Sequence, residues 1–98
     1  MDLRLVWTEK ASEDIEAIVR YIARHNTRAA MQIGLEVYER VQILQTYPEA
    51  GSILEELGDP HVRKIIYKKW KIVYQNLPQE ELIVILRVWP VLRGEVEI

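Results

Sequence analysis

The spacing of apolar residues changes from a strand-like to a helix-like period near the start of the chain. Leu3, Leu5 and Trp7 alternate with Arg4 and Val6, which predicts a short strand with the first three side chains on one side. A helix follows over about residues 9–24, because a single helical stripe holds Ala11, Ile15, Ile18, Val19 and Ile22.

Capping residues predict where the two helices begin. The Thr8 hydroxyl can accept from the free amides of the first helix, and Asn26 or Thr27 can do the same for a second. Only two or three residues then link the two helices. So short a connection favours an antiparallel helical hairpin. Gly34 lies on the core side of the second helix, where the helices can approach closely. The predicted core stripe of that helix consists of Ala30, Ile33, Val37, Val41 and Leu44.

The second helix carries more apolar surface than one partner helix can cover. Met31, Leu35 and Tyr38 lie beside its core stripe. A sheet beneath the hairpin, or another chain above it, must cover the excess. We predict that these three side chains lie at a protein interface.

Strand-like segments dominate the second half of the chain. A loop from Pro48 to Pro60 precedes three segments rich in Val, Ile and Tyr: Val62 to Tyr67, Ile72 to Asn76 and Leu82 to Trp89. The predicted fold is a single α+β domain over residues 1–98, in which two helices cover one face of a three-stranded antiparallel sheet. The other face stays at least partly open.

The last strand has one entirely apolar side. We predict that this side, formed by Leu82, Val84, Leu86 and Val88, faces the helices. The opposite side would then place Arg87 next to Trp89, where a guanidinium can stack on an indole and still reach an anion. Alternatively, Arg87 pairs with a carboxylate from another segment.

Length and composition describe an ordinary folded domain. The 98 residues are 49% hydrophobic and 29% charged, and include no cysteine. The first residues lack the apolar core of a signal peptide, and the longest apolar run, Leu82 to Leu86, is far shorter than a membrane span. We therefore expect a cytoplasmic protein that does not bind membranes.

Charge is unevenly distributed along the chain. Residues 1–61 hold six basic and eleven acidic residues, whereas residues 62–98 hold seven and four. The segment 62–71 combines five basic residues with two aromatics and no acid, a composition suited to nucleic acids. Alternatively, its lysines are turn residues and its aromatics belong to the core. The candidate target-binding residues are Arg63, Lys64, Lys68, Lys69, Lys71, Arg87 and Trp89.

The sequence does not contain the residue patterns that several kinds of catalysis require. His25 and His61 lie in predicted connections, and neither Ser12 nor Ser52 has a base beside it in sequence. These residues do not match a Ser-His-Asp hydrolase or a metal site, and no glycine-rich phosphate loop is present. We expect no cofactor and no metal. Glu13 and Asp14 are interpreted as a solvated helix face.

Several segments together resemble the RelE/ParE superfamily of bacterial toxins, the plasmid stabilisation system proteins. The resemblance spans about 90 positions and rests on Trp7–Glu9, Ala11, Asp14–Ile15, Ile18–Ile22, Tyr47–Gly51, Val62–Ile65, Trp70–Tyr74 and Val84–Trp89. It implies the toxin of a type II toxin-antitoxin pair, held inactive by a co-expressed antitoxin. A homodimer or a toxin-antitoxin hetero-oligomer is possible.

Two mechanisms occur among such relatives. The RelE-like branch cleaves messenger RNA on the ribosome, and by position the resemblance implies Lys64, Lys71, Arg87 and Arg93 as its catalytic residues here. However, Pro90 stands where many relatives have His, and Glu97 about where that branch has Tyr. These departures remove the usual acid and base.

The ParE-like branch resembles poisons of DNA gyrase that act by protein contact. Our hypothesis is a ParE-like toxin of this kind. The alternatives are a ribosome-dependent endoribonuclease and a degenerate member that binds only an antitoxin.

Overall fold

Two helices pack on one face of a five-stranded sheet in the computed structural model, which describes residues 2–98. The helices are α1 (Glu9–Ala23) and α2 (Thr27–Gln42), and the strands are β1 (Arg4–Trp7), β2 (Ser52–Ile53), β3 (Val62–Tyr67), β4 (Trp70–Leu77) and β5 (Leu82–Pro90). The predicted α+β class is confirmed. Within the described residues, neither helix is long and apolar enough to cross a membrane.

The sheet is larger than the three strands predicted. Its order is β1-β5-β4-β3-β2, with β1 parallel to β5 and the other neighbours antiparallel. The first strand joins the same sheet, and the two residues of β2 extend it at the opposite edge. Residue alternation reveals a strand but not its neighbour, and two residues are too few to show alternation.

Both predicted helix caps are present. The Ala11 amide donates to the Thr8 hydroxyl at 3.1 Å, and the Ala29 amide donates to the Asn26 side-chain oxygen at 3.0 Å. Gly34 lies where α2 approaches α1, since a Cβ atom placed on it would be 3.3 Å from a methyl group of Val19. The caps and the close approach fix the helical hairpin over the sheet.

The main core lies between the hairpin and the sheet. All five residues of the predicted core stripe are buried, four of them in α2 and Leu44 in the 3₁₀ turn that follows it. They face fully buried strand residues that include Ile72, Tyr74, Ile83 and Ile85. Burial of an aliphatic side chain of this size contributes about 1.5–3 kcal/mol, so this layer carries much of the fold's stability.

A bulge in β5 changes which side of that strand faces the helices. The register with β4 passes from Tyr74 opposite Ile85 to Val73 opposite Arg87, which leaves Leu86 as an extra residue. Ile83 and Ile85 face the helices before the bulge, and Val88 faces them after it. The predicted apolar side was therefore wrong for all but Val88, because one inserted residue shifts the alternation.

A second, smaller core covers part of the opposite sheet face. Trp89 and Val73 pack there against side chains from a 3₁₀ turn and from the C-terminal segment. Its buried members are Leu54, Val62, Val73, Trp89 and Val96, with Leu57 and Leu86 packed beside them. The sheet face opposite the helices, which was predicted to stay at least partly open, is thus partly covered.

The edge of β5 beyond the end of β1 is closed by side chains. The Thr8 hydroxyl lies 3.0 Å from the Ile85 carbonyl oxygen and 3.2 Å from that of Leu86. The Val88 amide donates to the Asp14 carboxylate at 2.9 Å. Pro90 has no amide proton to offer. Backbone polar groups along this edge are therefore hydrogen-bonded within the domain. These bonds protect the edge of β5 from pairing with another strand.

Candidate functional site

Four cationic residues predicted from the sequence lie near one another on the sheet face opposite the helices. Lys64 is beside Val73, which in turn is beside Arg87, and Lys71 is beside Trp89. Val73 and Trp89 belong to the second core, which fixes the side of the sheet. Arg93 follows β5 and lies over the Trp89 ring.

Trp89 is at the centre of this group. The guanidinium carbons of Arg87 and Arg93 each lie 4.9 Å from its ring centroid, and its indole N–H donates to the Gly94 carbonyl at 3.1 Å. The predicted stacking of Arg87 on Trp89 is therefore present. The indole is only 3% exposed, so its role is to hold the arginines and the C-terminal segment.

Arg87 is engaged by a carboxylate from α1. Its Nε lies 2.8 Å from Asp14 Oδ2 and its Nη2 lies 2.9 Å from Oδ1, while Nη1 donates to the Glu97 carbonyl at 2.7 Å. The hydrogen bonds that Arg87 donates to the Asp14 carboxylate raise the pKa of Arg87, so the guanidinium stays charged. All three of its nitrogens have partners inside the chain.

Lys71 is also engaged within the domain. Its ammonium group donates to the Gly94 carbonyl at 3.2 Å and lies 3.9 Å from a carboxylate oxygen of Glu56. That carboxylate accepts from the Val96 amide, and this hydrogen bond together with the charges of Lys71 and Lys64 lowers the pKa of Glu56. Lys71 thus binds the loop and the C-terminal segment to the sheet.

The structure separates Arg63 from the other cations. Arg63 lies opposite Tyr74, which belongs to the main core, and its Nη1 donates to the Gly51 carbonyl at 2.6 Å. The Tyr74 hydroxyl donates to the Pro48 carbonyl at 2.8 Å and accepts from the Gly51 amide at 2.9 Å. Arg63 and Tyr74 together hold the loop that contains the motif Tyr47–Gly51.

The aromatic residues of the basic segment belong to the core. Tyr67 is buried and stacks on Trp70 with ring centroids 6.4 Å apart. Burial and a 2.6 Å hydrogen bond to Glu36 raise the pKa of Tyr67 to about 12, and the same bond lowers the pKa of Glu36. Lys68 and Lys69 form the exposed turn between β3 and β4, with Lys68 over the Tyr67 ring.

Met31, Leu35 and Tyr38 form an exposed apolar stripe on α2. Their exposed fractions are 70%, 59% and 55%. The spacing of four and three residues places them on one side of the helix, next to the contact between Gly34 and α1. Nothing within the described residues covers this stripe, so it is accessible to another chain.

Asp14 is the residue whose role sequence reasoning missed. It was interpreted as part of a solvated helix face, whereas it binds Arg87 and the amide of Val88. A signal was available, because Asp14 lies three residues after Ala11 and four before Ile18, on the apolar side of the helix. An acid on that side requires a buried partner.

Comparison with known proteins finds a matching family model and a solved structure of similar fold. Residues 5–93 match the family model described as the ParE toxin of the type II toxin-antitoxin system parDE. The fold is similar to a solved structure titled as the chromosomal ParDE toxin-antitoxin system from P. aeruginosa, with a TM-score of 0.76 and 24% identity over 91% of this chain and 96% of that chain. No curated protein matches the sequence.

Proposed function

Because the chain belongs to the ParE toxin family of type II toxin-antitoxin systems, we propose that it inhibits growth by binding a macromolecular target such as DNA gyrase. We also propose that a cognate antitoxin neutralises it. The target and its neutralisation go beyond family membership, and the proposal for both rests on the chain's own side chains.

The cationic residues form hydrogen bonds within the domain, and these bonds favour target binding over RNA cleavage. Cleavage of RNA by its own 2′-hydroxyl needs a proton acceptor, a proton donor and cations free to stabilise the phosphate. Arg87 and Lys71 are instead hydrogen-bonded to Asp14, Glu97 and Gly94. These contacts favour a toxin that acts by shape and charge over one that performs acid/base chemistry.

The proposed target-binding surface is the outer rim of the cationic face. Arg93 and the turn residue Lys69 are exposed, and Lys64 is half-buried on the same face as Lys71. Lys68, also proposed for this surface, is exposed on the helix side of the turn, over the Tyr67 ring and near Glu36. Cations at the rim of an interface attract an acidic partner and raise the association rate. Arg87, Lys71 and Trp89 would support this surface from beneath.

The proposed antitoxin-binding surface is the exposed apolar stripe of α2. Met31, Leu35 and Tyr38 present a continuous apolar patch to solvent. Such patches are commonly protein-interaction sites, because covering them releases about 25 cal/mol for each Å² removed from water. A partner on the helices would leave the sheet face on the other side of the domain free, so neutralisation would not need to cover every target-binding residue.

Controlled expression tests the proposed target. With the chain induced in a bacterium lacking its antitoxin, we expect filamentation with DNA damage, and inhibition of purified gyrase by the purified chain. The double variant Lys64→Glu and Arg93→Glu should reduce both effects, whereas the exposed Arg4→Glu on β1 serves as a matched control on another edge.

Other outcomes would contradict the proposed target. Prompt arrest of translation with cleaved messages would favour the endoribonuclease alternative. Unimpaired growth with active gyrase would leave a chain that only binds an antitoxin.

A further inference from the structure

Leu92 is the most exposed large apolar side chain among residues 2–98. It lies in the 3₁₀ turn Val91–Arg93, directly after β5, with an exposed fraction of 98%. Leu92 therefore contributes almost nothing to the two cores. A single exposed leucine is common on protein surfaces, so the backbone and the charges around Leu92 decide whether it is a contact site.

The backbone that carries Leu92 is held on both sides. Before it, the Val91 amide donates to the Lys69 carbonyl, in the turn between β3 and β4, at 2.8 Å. After it, the Gly94 carbonyl accepts from the Trp89 indole at 3.1 Å. The Leu92 side chain is thus presented to solvent on a fixed support. Binding through such a residue loses less conformational entropy than ordering a flexible segment would.

Two cations without ion pairs lie beside Leu92. Lys69 and Arg93 are exposed, and neither forms an ion pair within residues 2–98. The nearest acid along the chain, Glu95, is also exposed and pairs with neither of them. This end of the sheet therefore presents an apolar tip next to two free positive charges.

We propose that Leu92 is the anchor of the target interface: it enters an apolar pocket on the target protein, and carboxylates around that pocket face Lys69 and Arg93. This rests on the proposed function, in which the chain binds a target such as DNA gyrase, and it specifies the chemistry of the contact. An apolar side chain in a fitted pocket supplies affinity, whereas charges at the rim supply specificity and a faster association.

The apolar tip and the charge of the chain favour a protein partner over a nucleic acid. A phosphate backbone would pair with the two cations but would leave Leu92 in water. The chain also has a formal net charge of −2, which repels a polyanion. A protein pocket with an acidic rim satisfies both the leucine and its cationic neighbours.

The test compares purified variants as inhibitors of purified gyrase, at low and at high salt, together with growth after induction. Leu92→Ser should need at least about tenfold more protein for half-inhibition at both salt concentrations, because it removes apolar burial. Leu92→Met, which keeps an apolar side chain, should stay within about threefold of the wild type. Lys69→Glu should weaken inhibition about threefold at low salt only, because salt screens the rim charges.

Ile43→Ser is the matched control. Ile43 is 53% exposed and lies in the 3₁₀ turn after α2, and that turn is hydrogen-bonded to Leu3, just before β1. Because β1 runs parallel to the start of β5, Ile43 lies at the opposite end of the sheet from Leu92. Ile43→Ser should inhibit within about twofold of the wild type, and circular dichroism would verify that every variant is folded.

The outcomes separate this inference from the proposed function. If the wild type inhibits gyrase and Leu92→Ser inhibits equally well, the anchor is refuted and the proposed function stands. If the wild type arrests growth without inhibiting gyrase, gyrase is refuted as the target, and growth decides the anchor: relief of the arrest by Leu92→Ser supports it and persistence refutes it. If the wild type does neither, both are refuted. If Leu92→Ser loses affinity for a DNA duplex instead, the tip is a nucleic-acid site and the inference is overturned.

Discussion

Arg87 and Asp14 form a two-pronged ion pair that joins the last strand of the sheet to the first helix. The two contacts are 2.8 and 2.9 Å long, and the Asp14 carboxylate also accepts from the Val88 amide. The side chains are only 14% and 16% exposed. A residue suited to binding an anionic target is thereby part of the scaffold.

Removing the charge of Asp14 should destabilise the fold. In Asp14→Asn, Arg87 would remain mostly buried without its carboxylate, and we expect the free energy of unfolding to fall by about 2–3 kcal/mol. Denaturant unfolding would measure the loss. Glu13→Gln, a change at the exposed neighbouring position, should remain within about 0.5 kcal/mol of the wild type. Equal stability of the two variants would show that the ion pair contributes nothing.

Gly51 should not tolerate a side chain. A Cβ atom there would lie 2.8 Å from the Tyr74 hydroxyl oxygen and closer still to the Lys64 carbonyl oxygen. We expect Gly51→Ala to cost about 2–4 kcal/mol, because the loop must move away from the hydroxyl that holds it. Gly58→Ala is the comparison, since Gly58 has a positive φ but open space around it, and about 1 kcal/mol is expected. Similar unfolding temperatures for Gly51→Ala and Gly58→Ala would show that the loop is not tightly packed at Gly51.

Stability should fall at alkaline pH through Tyr67. Its folded pKa is about 12 against an ordinary value of 10.0, so the folded state retains the proton that the unfolded state loses. The stabilisation is complete below pH 10 and is lost as the pH rises towards 12. Unfolding measured across this window should show a shallower decline for Tyr67→Phe than for the wild type, and identical declines would contradict the shift.

A charge on the apolar stripe should block antitoxin binding without unfolding the domain. Leu35 is exposed, so Leu35→Asp is expected to change the free energy of unfolding by less than about 1 kcal/mol. A carboxylate there would have to be desolvated in the complex, which should weaken binding by an order of magnitude or more. Calorimetric titration would measure both variants, with Glu39→Asp as a conservative exposed control. Unchanged affinity of Leu35→Asp would place the antitoxin elsewhere.

Local patterns in the sequence predicted much of the fold. Thr8 and Asn26 cap the helices as expected, β3 has the predicted bounds, and the predicted core stripe of α2, which includes Ile33, Val37 and Val41, is buried. These features depend on residues within a turn or two of one another. The resemblance to the toxin superfamily, which rests on such segments in order, is confirmed by the family match.

Contacts between distant segments could not be predicted in this way. Asp14 and Arg87 are 73 residues apart, and β1 meets β5 across nearly the whole chain. The bulge at Leu86 depends on the register with β4, which no residue of β5 alone determines. The cationic cluster was predicted on one face, but its neutralisation by Asp14 and Glu56 required the tertiary structure.

The place of β5 between β1 and β4 delays completion of the fold during synthesis. Among residues 2–98, β1 pairs with β5 alone, so the first strand of the sheet has no neighbour until residues 82–85 leave the ribosome. The main core also lacks Ile83, Ile85 and Val88 until then. A nascent chain therefore stays incompletely folded until β5 has been synthesised.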